Sequence, residues 1–398
     1  MLRGGQKYPS FFTAKTLSEQ LIAFRDTSGR VGIMDHRCPH RCASFFFARN
    51  EKNGIRCVYH GWKFGVGGNC LDMANLPPHQ DFRDKVKAKA YKAQERSGVV
   101  WVFMGDQKNI PPLPQIEATM APEEDVELLF IQRECNWLQG AEGELDTSHL
   151  GVLHFGSVGK DSFTEKTMDQ YVVSNRAPEY KVEETGFGQM YAAYRPGGEG
   201  ETYWRIGHFL FPCWTMPPIC PISTNILARA YVPMDDTHTM MVYLIHRQVE
   251  MPGERPGRKP IVGGGVWRFE PNTTAWHGRY GLKDHKDNDY NIDREIQRTQ
   301  SYTGITGINL QDQAVSESMG EITDMTFEHL GPSDVMVSRT RRQLIRAALA
   351  FEKDGTLPPS AADPMVYTGV RGGQFLAPEK MEWLEAYAQQ IENAPLKV

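Results

Sequence analysis

The stretch between residues 38 and 60 limits the possible folds of this chain more than any other. It begins with Cys38-Pro39-His40 and ends with Cys57-Val58-Tyr59-His60, and sixteen residues separate these two half-sites. Each half-site supplies one thiolate and one imidazole. Cysteines and histidines at such short spacing indicate a bound metal, so the intervening chain must fold back to bring two loops together.

Two kinds of metal centre use two thiolates and two imidazoles. A structural zinc ion binds them tetrahedrally, but zinc sites tend to pair cysteine with cysteine and histidine with histidine. A Rieske [2Fe–2S] cluster has two cysteines on one iron and two histidines on the other, which suits loops that each carry one of both. The flanking residues Arg41 and Gly61-Trp62-Lys63-Phe64 favour the cluster as well. The predicted cluster ligands are Cys38, His40, Cys57 and His60.

The length of the chain separates the classes of Rieske protein. Respiratory Rieske proteins carry an extra cysteine in each loop, joined as a disulfide; Cys42 fits one half, but Val58-Tyr59 offers no second cysteine. The 398 residues leave room for two or three domains, far more than a small ferredoxin needs. A further domain with its own function is therefore expected.

Composition excludes several other functions. A net charge of −5 gives no basic patch for nucleic acid. No apolar run approaches the roughly 20 residues of a membrane span, and the first residues lack the apolar core of a signal peptide. Seven cysteines at irregular spacing do not form a disulfide framework. We expect a cytoplasmic protein that does not bind membranes.

Hydrophobic patterns divide the chain near residue 112. Two apolar runs within residues 21–34 flank Asp26-Thr27-Ser28-Gly29 and predict a β-hairpin. A strand is predicted within 97–105, and Pro111, Pro112 and Pro114 then interrupt the pattern. We therefore expect a Rieske domain at 1–112 and a second domain at 113–398.

The second domain has an α+β pattern. One helix is predicted at 136–150, and two more at 341–353 and 379–393. The apolar face predicted for the helix at 341–353 contains Leu344, Ile345, Ala348 and Phe351. The segments between them that are rich in aromatic and β-branched residues predict strands at 189–194, 203–211, 225–232 and 240–247. Helices packed on an antiparallel sheet are expected from this order.

A second candidate metal site begins with Asp146, His149 and His154. On a helix Asp146 and His149 would share a face, whereas His149 and His154 would point about 140° apart. Gly151 lies between the histidines, where the helix can end and allow them to converge. Two histidines and a carboxylate are the ligands of non-haem Fe(II) oxygenases. A Rieske cluster delivers the single electrons that such an iron consumes.

The chain resembles the α-subunits of Rieske non-haem iron aromatic ring-hydroxylating oxygenases, in particular the phthalate dioxygenase-like branch with its aromatic O-demethylases. The resemblance covers nearly the whole chain. It rests on both Rieske half-sites with their flanks, on residues 144–149 with His154, and on residues 311–320. It implies an antiparallel β-sandwich Rieske domain followed by a helix-grip catalytic domain of the START/Bet v1-like type.

The resemblance also implies the roles of individual residues. His149, His154 and Asp312 would bind a mononuclear Fe²⁺, although position alone does not separate Asp312 from Glu317 and Asp324. Asp146 would be hydrogen-bonded between His149 and a Rieske histidine, His60, of a neighbouring subunit. Pairing the centres across an interface implies a head-to-tail homotrimer or a multiple of it, such as a hexamer. Members usually have a longer segment before the strand at Leu21, so an early element of the Rieske domain is expected to be missing.

Reducing equivalents must come from another protein. The chain has no Gly-x-Gly-x-x-Gly fingerprint for a nicotinamide or flavin nucleotide, and the Gly/Pro-rich residues 252–265 are expected to form an exposed loop. Electrons from NAD(P)H would arrive from a flavin/Fe–S reductase, directly or through a ferredoxin. The predicted function is a terminal oxygenase that uses O₂ to hydroxylate a small aromatic substrate, by ring dihydroxylation or O-demethylation. The alternative is a Rieske electron-transfer or binding protein without a catalytic iron.

Two arginines are candidates for substrate recognition. Arg176 and Arg205 lie in the second domain, and Arg205 interrupts an otherwise aromatic strand. A buried arginine there would bind a substrate carboxylate through two parallel hydrogen bonds. A salt bridge to a structural acid is the alternative role.

Overall fold

The computed structural model describes residues 11–156, 170–247 and 267–394. The chain divides into two compact units: the first comprises the residues up to Pro111 together with Pro233–Asp235 and Pro271–Arg279, and the second comprises the remainder. The loop predicted at 252–265 lies outside the described residues. None of the helices in the described ranges has the length and apolar character needed to cross a membrane.

The first unit consists of short antiparallel strands. Sheets form in the orders β1-β2-β3-β8 and β4-β5-β6-β7, and β9 pairs with β10. The predicted hairpin is confirmed, since β2 and β3 pair antiparallel on either side of a turn in which Asp26 accepts hydrogen bonds from the amides of Ser28 and Arg30. The strands are β1 Phe11–Thr16, β2 Glu19–Arg25, β3 Val31–Asp35, β4 Arg49–Glu51, β5 Gly54–Arg56, β6 Trp62–Phe64, β7 Cys70–Met73, β8 Ala90–Tyr91, β9 Ala93–Arg96 and β10 Val99–Val102.

The two four-stranded sheets share one apolar core. Phe24 and Met34 from the first sheet pack in the same buried cluster as Ile55 and Phe64 from the second. The cluster also contains the cysteines of both half-sites. The unit is thus an antiparallel β-sandwich, with its candidate ligand loops anchored in the core.

The second unit contains an eight-stranded sheet in the order β11-β17-β16-β15-β14-β13-β12, with β18 paired to β14. Its strands are β11 Val126–Arg133, β12 Glu179–Thr185, β13 Gly188–Gly198, β14 Glu201–Leu210, β15 Trp214–Met216, β16 Leu227–Pro233, β17 Thr239–His246 and β18 Gly373–Pro378. Its helices are α1 Trp137–Leu145, α2 Gln170–Ser174, α3 Arg294–Thr299, α4 Ile308–Ser318, α5 Val335–Asp354, α6 Pro359–Ala362 and α7 Trp383–Glu392.

Helices cover both faces of β13 and β14. Because alternate side chains of a strand point to opposite faces, Tyr191 and Phe209 pack against Met336 of α5. On the other face, Trp204 packs against Trp383 of α7. The α+β prediction is confirmed, with α5 packed on one face of these strands and α7 on the other.

The predicted buried face of α5 was wrong. Ile345 and Phe351 of the predicted apolar face are each 58% exposed, whereas Met336 and Thr340 are fully buried. The helix begins at Val335, six residues before the predicted start. Contacts with the sheet come from Met336 and, further along the helix, from Leu344 and from Gln343, whose side chain donates to the Gly188 carbonyl at 3.0 Å.

Candidate metal centres

The two ligand loops of the first unit, Cys38–Ala43 and Cys57–Trp62, have the same backbone geometry. In each, the amide of the cysteine donates to the carbonyl five residues later, and the amide four residues later donates to the carbonyl of the cysteine, at 2.8 to 3.0 Å. The residue at that fourth position has a left-handed backbone in both loops, namely Cys42 with φ 59° and Gly61 with φ 75°. Each cysteine is thus fixed by its own loop.

The side chains of the two loops meet. Cys38 and Cys57 are 2% and 3% exposed, and the rings of His40 and His60 lie 4.4 Å apart at 72°. Trp62 stacks on His40 at 4.3 Å. Burial, together with the nearby Cys57, raises the pKa of the Cys38 thiol to about 12.

The donor set fits a Rieske cluster. The Nδ1 atoms of both His40 and His60 are buried and make no hydrogen bond to any part of the chain that the structure describes. Buried polar nitrogens are rarely left unpaired, and thiols buried side by side are poor hydrogen-bond partners for one another. Coordination to a [2Fe–2S] cluster would satisfy both pairs at once.

The second centre begins where α1 ends. Asp146 accepts hydrogen bonds of 2.6 Å from both the amide and the hydroxyl of Ser148, and its own backbone is extended. The helix predicted for 136–150 therefore stops at Leu145, because this side-chain turn competes with the helical hydrogen bonds. His149 then opens a 3₁₀ turn that ends at Gly151.

Gly151 has a different role from the one its position suggested. A Cβ atom there would lie 3.1 Å from Cγ of Arg176 and 3.2 Å from the carbonyl oxygen of Val172. The glycine thus permits close packing against α2 and the residues after it. The end of the helix is fixed five residues earlier by Asp146.

Both histidines converge on Asp312. Its Oδ1 atom lies 3.1 Å from Nε2 of His154 and 3.8 Å from Nε2 of His149. The two imidazole rings are 5.0 Å apart at 80°, and one ligand atom from each of the three residues lies within 4.8 Å of the others. Two imidazoles and one carboxylate at this spacing fit a mononuclear iron with open coordination positions.

The two alternative acids are engaged elsewhere. The Glu317 carboxylate accepts hydrogen bonds from the Glu134 amide at 2.9 Å, from the Gln313 side chain at 2.8 Å and from the Tyr290 hydroxyl. Asp324 caps a surface turn through Thr326. Within the described ranges the histidine pair is grouped with Asp312.

Each histidine of this centre also has a partner on its other nitrogen. Nδ1 of His149 lies 3.3 Å from Oδ2 of Asp146, and Nδ1 of His154 lies 2.7 Å from Oε1 of Gln311. Hydrogen bonds of this kind fix the ring orientation and leave Nε2 available for a metal.

Electrostatics favour an ionised Asp312. Burial by itself would raise the pKa of Asp312, but the adjacent His154 and His149 imidazoles and the Arg133 guanidinium outweigh it and lower the pKa to about 2. Burial alone would lower the pKa of His149, yet the Asp146 and Asp312 carboxylates raise it above the ordinary value. A cation bound here must therefore compete with a proton on His149.

The two predicted substrate arginines lie in different surroundings. Arg205 is buried and hydrogen-bonded to the Thr147 hydroxyl at 2.8 Å and to the Gln374 side chain at 3.1 Å. Arg176 is exposed, with its guanidinium 5.0 Å from the ring of Phe155. Both lie close in sequence or space to residues 146–155, which carry the candidate ligands.

Sequence reasoning missed the polar residues beneath this centre. Arg229 forms a buried ion pair with Glu144, which also accepts a 2.7 Å hydrogen bond from the Tyr231 hydroxyl. Gln311 lies in the 311–320 stretch, but nothing in the sequence assigns it a role. The sequence signal for such polar contacts is a charged residue within an apolar strand, as with Arg133 in β11 and Arg229 in β16. A buried charge needs a buried partner, but the sequence does not show which residue the partner is.

Comparisons with known proteins agree with both centres. A family model described as Rieske [2Fe-2S] domain matches residues 5–91, and one described as LigXa C-terminal domain like matches residues 102–397. The chain belongs to the Rieske oxygenases. The earlier fold assignment of a Rieske domain followed by a sheet-rich catalytic domain is confirmed, as is the oxygenase class.

Alignments with individual relatives cover most of this Rieske oxygenase chain. It is 44% identical to the 3-chlorobenzoate-3,4-dioxygenase oxygenase subunit of Comamonas testosteroni, over 95% of this chain and 88% of that one. It is 32% identical to the phthalate 4,5-dioxygenase oxygenase subunit of Pseudomonas putida, over 95% and 86%. The 5,5'-dehydrodivanillate O-demethylase oxygenase subunit of Sphingobium sp. (strain NBRC 103272 / SYK-6) is 28% identical, over 83% and 70%.

Solved structures confirm the fold. Dicamba monooxygenase bound to dicamba superposes with a TM-score of 0.55 at 15% identity, over 86% of this chain and 94% of that one. As a Rieske oxygenase, the protein takes a [2Fe–2S] cluster and a mononuclear non-haem iron as cofactors and O₂ as co-substrate. A separate reductase supplies the electrons of NAD(P)H.

Proposed function

We propose that this Rieske oxygenase hydroxylates an aromatic carboxylic acid, by dihydroxylation of its ring. The observation that supports an oxygenase centre most directly is the convergence of His149, His154 and Asp312 to within 4.8 Å. The substrate class is supported by the 44% and 32% identity to oxygenase subunits named for chlorobenzoate and phthalate. Removal of a methyl group from an aromatic ether is the second candidate, favoured by the 28% identity to an O-demethylase subunit.

The proposed ligands divide between the two units. Cys38, His40, Cys57 and His60 would hold the [2Fe–2S] cluster, and His149, His154 and Asp312 would hold the Fe²⁺. The cluster supplies single electrons, and the iron supplies the binding and reductive activation of O₂. The domain division proposed with this assignment is 1–112 for the Rieske domain and 113–398 for the catalytic domain.

Asp146 would orient His149 and connect the two centres. Its carboxylate accepts from Ser148 and lies 3.3 Å from Nδ1 of His149, and burial opposed by these hydrogen bonds leaves the pKa of Asp146 below its ordinary value. It would therefore remain an anion that holds the Nδ1 proton of His149 and accepts a second hydrogen bond from the partner subunit's His60.

A homotrimer is part of the proposal. Exposed apolar side chains lie beside the second Rieske loop, where Val58 and Tyr59 are 56% and 53% exposed. A second group follows α4, where Ile322 is 58% and Phe327 is 82% exposed. Large exposed apolar patches mark protein interfaces, and two different patches suit a head-to-tail ring. Sedimentation of the cluster-loaded protein at three times 45.1 kDa is the expected result.

The substrate carboxylate would be bound by Arg205 and Arg176. Arg205 reaches the Thr147 hydroxyl, one residue from Asp146, and Arg176 lies over Phe155, one residue from His154. A guanidinium binds a carboxylate through two parallel hydrogen bonds. Replacement of either arginine by methionine would raise KM for a benzoate more than it lowers kcat.

Metal content and product analysis test this proposal together. The oxygenase should contain about three irons per chain, whereas an electron carrier without a catalytic iron would contain two. In the cytoplasm the reductase would deliver electrons directly or through a ferredoxin. In the assay a surrogate reductase replaces it, and a panel of benzoates, phthalates and methoxybenzoates should yield ring diols. Formaldehyde release instead would establish O-demethylation, and two irons with no product would contradict an oxygenase.

A further inference from the structure

The imidazole of His154 lies between two successive residues of α4. Its Nδ1 atom is 2.7 Å from Oε1 of Gln311, and its Nε2 atom is 3.1 Å from Oδ1 of Asp312. Successive residues of a helix point about 100° apart, so one turn of α4 can reach both sides of the ring. His154 is 1% exposed and Gln311 is fully buried.

The orientation of the Gln311 amide follows from its other contact. Its Nε2 atom donates a 2.7 Å hydrogen bond to the carbonyl oxygen of Ile305. Because a backbone carbonyl only accepts hydrogen bonds, the –NH₂ group must face Ile305. The amide oxygen therefore faces His154, and Nδ1 of that ring must carry the proton. Nε2 of His154 then presents its lone pair towards Asp312.

The second histidine of the site is oriented by a different group. Nδ1 of His149 faces the Asp146 carboxylate at 3.3 Å, across a turn of the same loop. His154 instead relies on a neutral amide 157 residues away in sequence. The orientation of His154 therefore depends on α4 being docked, whereas that of His149 does not.

We propose that Gln311 is a positioning residue of the iron centre: it fixes the Nδ1–H tautomer and the ring orientation of His154, so that α4 delivers the carboxylate ligand and orients an imidazole ligand with adjacent residues. The inference rests on the proposed function, because it takes His154 and Asp312 to be iron ligands. Partners of this kind typically change metal affinity by about 10- to 100-fold.

The test compares two buried glutamines of the same helix. Gln311→Leu removes the acceptor of His154, and Gln311→Met does so with a side chain of similar length that repacks readily. Gln313→Leu is the matched control: Gln313 is also buried but donates to Glu317 Oε1 at 2.8 Å. All variants are prepared as full chains with the cluster loaded, which its visible absorption reports independently of the mononuclear iron.

Two readouts besides activity are measured. Chelator competition gives the affinity of the mononuclear site for Fe²⁺, and the EPR spectrum of its nitric oxide complex reports the ligand geometry. We expect Fe²⁺ binding to weaken about 10- to 100-fold in both Gln311 variants, with an altered rhombicity of the EPR signal, while Gln313→Leu matches the wild type in both.

The outcomes separate this inference from the proposal beneath it. Wild-type affinity and an unchanged EPR spectrum in Gln311→Met would overturn the role of Gln311 while leaving the iron site intact. Equal weakening in Gln313→Leu would also overturn it, since the effect would then come from packing of α4. A wild-type protein that binds no third iron would instead refute the proposed function itself.

Discussion

The two candidate centres present opposite nitrogens of their histidines. In the Rieske loops, the Nδ1 atoms of His40 and His60 are buried without a hydrogen-bond partner among the described residues. In the catalytic unit, the Nδ1 atoms of His149 and His154 are hydrogen-bonded, and their Nε2 atoms approach Asp312. The difference shows that the partner of one ring nitrogen identifies the nitrogen that is left for a metal.

The centres also differ in how far apart in sequence their ligands lie. The Rieske loops lie within residues 38–62 and are closed by hydrogen bonds of their own backbone. The second centre spans residues 146–312 and depends on the packing of α1 against α4, where the Gln139 side chain donates to the carbonyls of Ser316 and Gly320. A change in one centre should therefore leave the other intact.

Removing one ligand from each centre is the strongest test of that independence. Asp312→Ala should lose the mononuclear iron and all turnover, because two imidazoles alone do not hold Fe²⁺ tightly. Iron should fall from about three to two per chain while the visible absorption of the cluster persists. Cys57→Ser should give the opposite pattern, with the cluster lost and Fe²⁺ binding retained. Loss of both centres in either variant would show that they fold as one.

Asp146→Asn tests the connection between the centres. Asparagine keeps an oxygen that can accept from Ser148 but removes the negative charge beside His149. We expect both centres to remain loaded and product formation to fall by about 10- to 100-fold. Single-turnover assays with a chemically reduced cluster measure product formation driven by electrons from the cluster. A wild-type rate in these assays would contradict the role of Asp146.

His208 is a buried imidazole that belongs to neither centre, and its burial should make the stability of the protein depend on pH. It is 1% exposed, and its Nε2 atom donates to the carbonyl of Arg371 at 2.9 Å. Burial lowers the pKa of His208 from 6.5 to about 4. Between pH 4 and pH 6.5 the His208 imidazole is therefore protonated in the unfolded chain but not in the folded chain. The free energy of unfolding is at its full value above pH 6.5 and decreases as the pH falls towards 4.

The expected loss for His208 at pH 5 is about 2 kcal/mol in the free energy of unfolding. His208→Gln retains a donor for the Arg371 carbonyl but does not titrate, so its unfolding free energy should change less between pH 7 and pH 5 than that of the wild type. Urea unfolding at the two pH values measures the difference. An identical pH dependence in the two proteins would mean that His208 is protonated in the folded state.

The smallest expected effects distinguish the two Rieske loops from each other. Gly61→Ala places a Cβ 2.9 Å from that of Ala74 at φ 75°, which should cost about 1–2 kcal/mol. Cys42→Gly relieves the corresponding backbone strain at φ 59°, and after the extra entropy of glycine it should stabilise by about 0.5 kcal/mol. Unfolding midpoints of the cluster-loaded proteins measure both. Equal effects of the same sign would refute the equivalence of the two loops.

The sequence by itself determined the features that depend on neighbouring residues. The mixed Cys and His half-sites indicate the cluster, because each loop must reach both irons. The Asp26 turn indicates the hairpin, since its side chain closes the turn within four residues. Four of the eight strands of this sheet, β13, β14, β16 and β17, were predicted to within about four residues of their ends, because aromatic and β-branched residues favour strands. The other four, β11, β12, β15 and β18, were not predicted.

Only the tertiary structure decided the features that depend on distant residues. Nothing in the sequence shows which of Asp312, Glu317 and Asp324 is a metal ligand. The fold brings Asp312 to the two histidines, whereas the Glu317 carboxylate accepts hydrogen bonds from Tyr290 and Gln313. The buried face of α5 and the partner of His154 were decided in the same way. A side chain 157 residues away leaves no periodic signal in the sequence, because the contact is set by how helices and sheet pack rather than by local spacing.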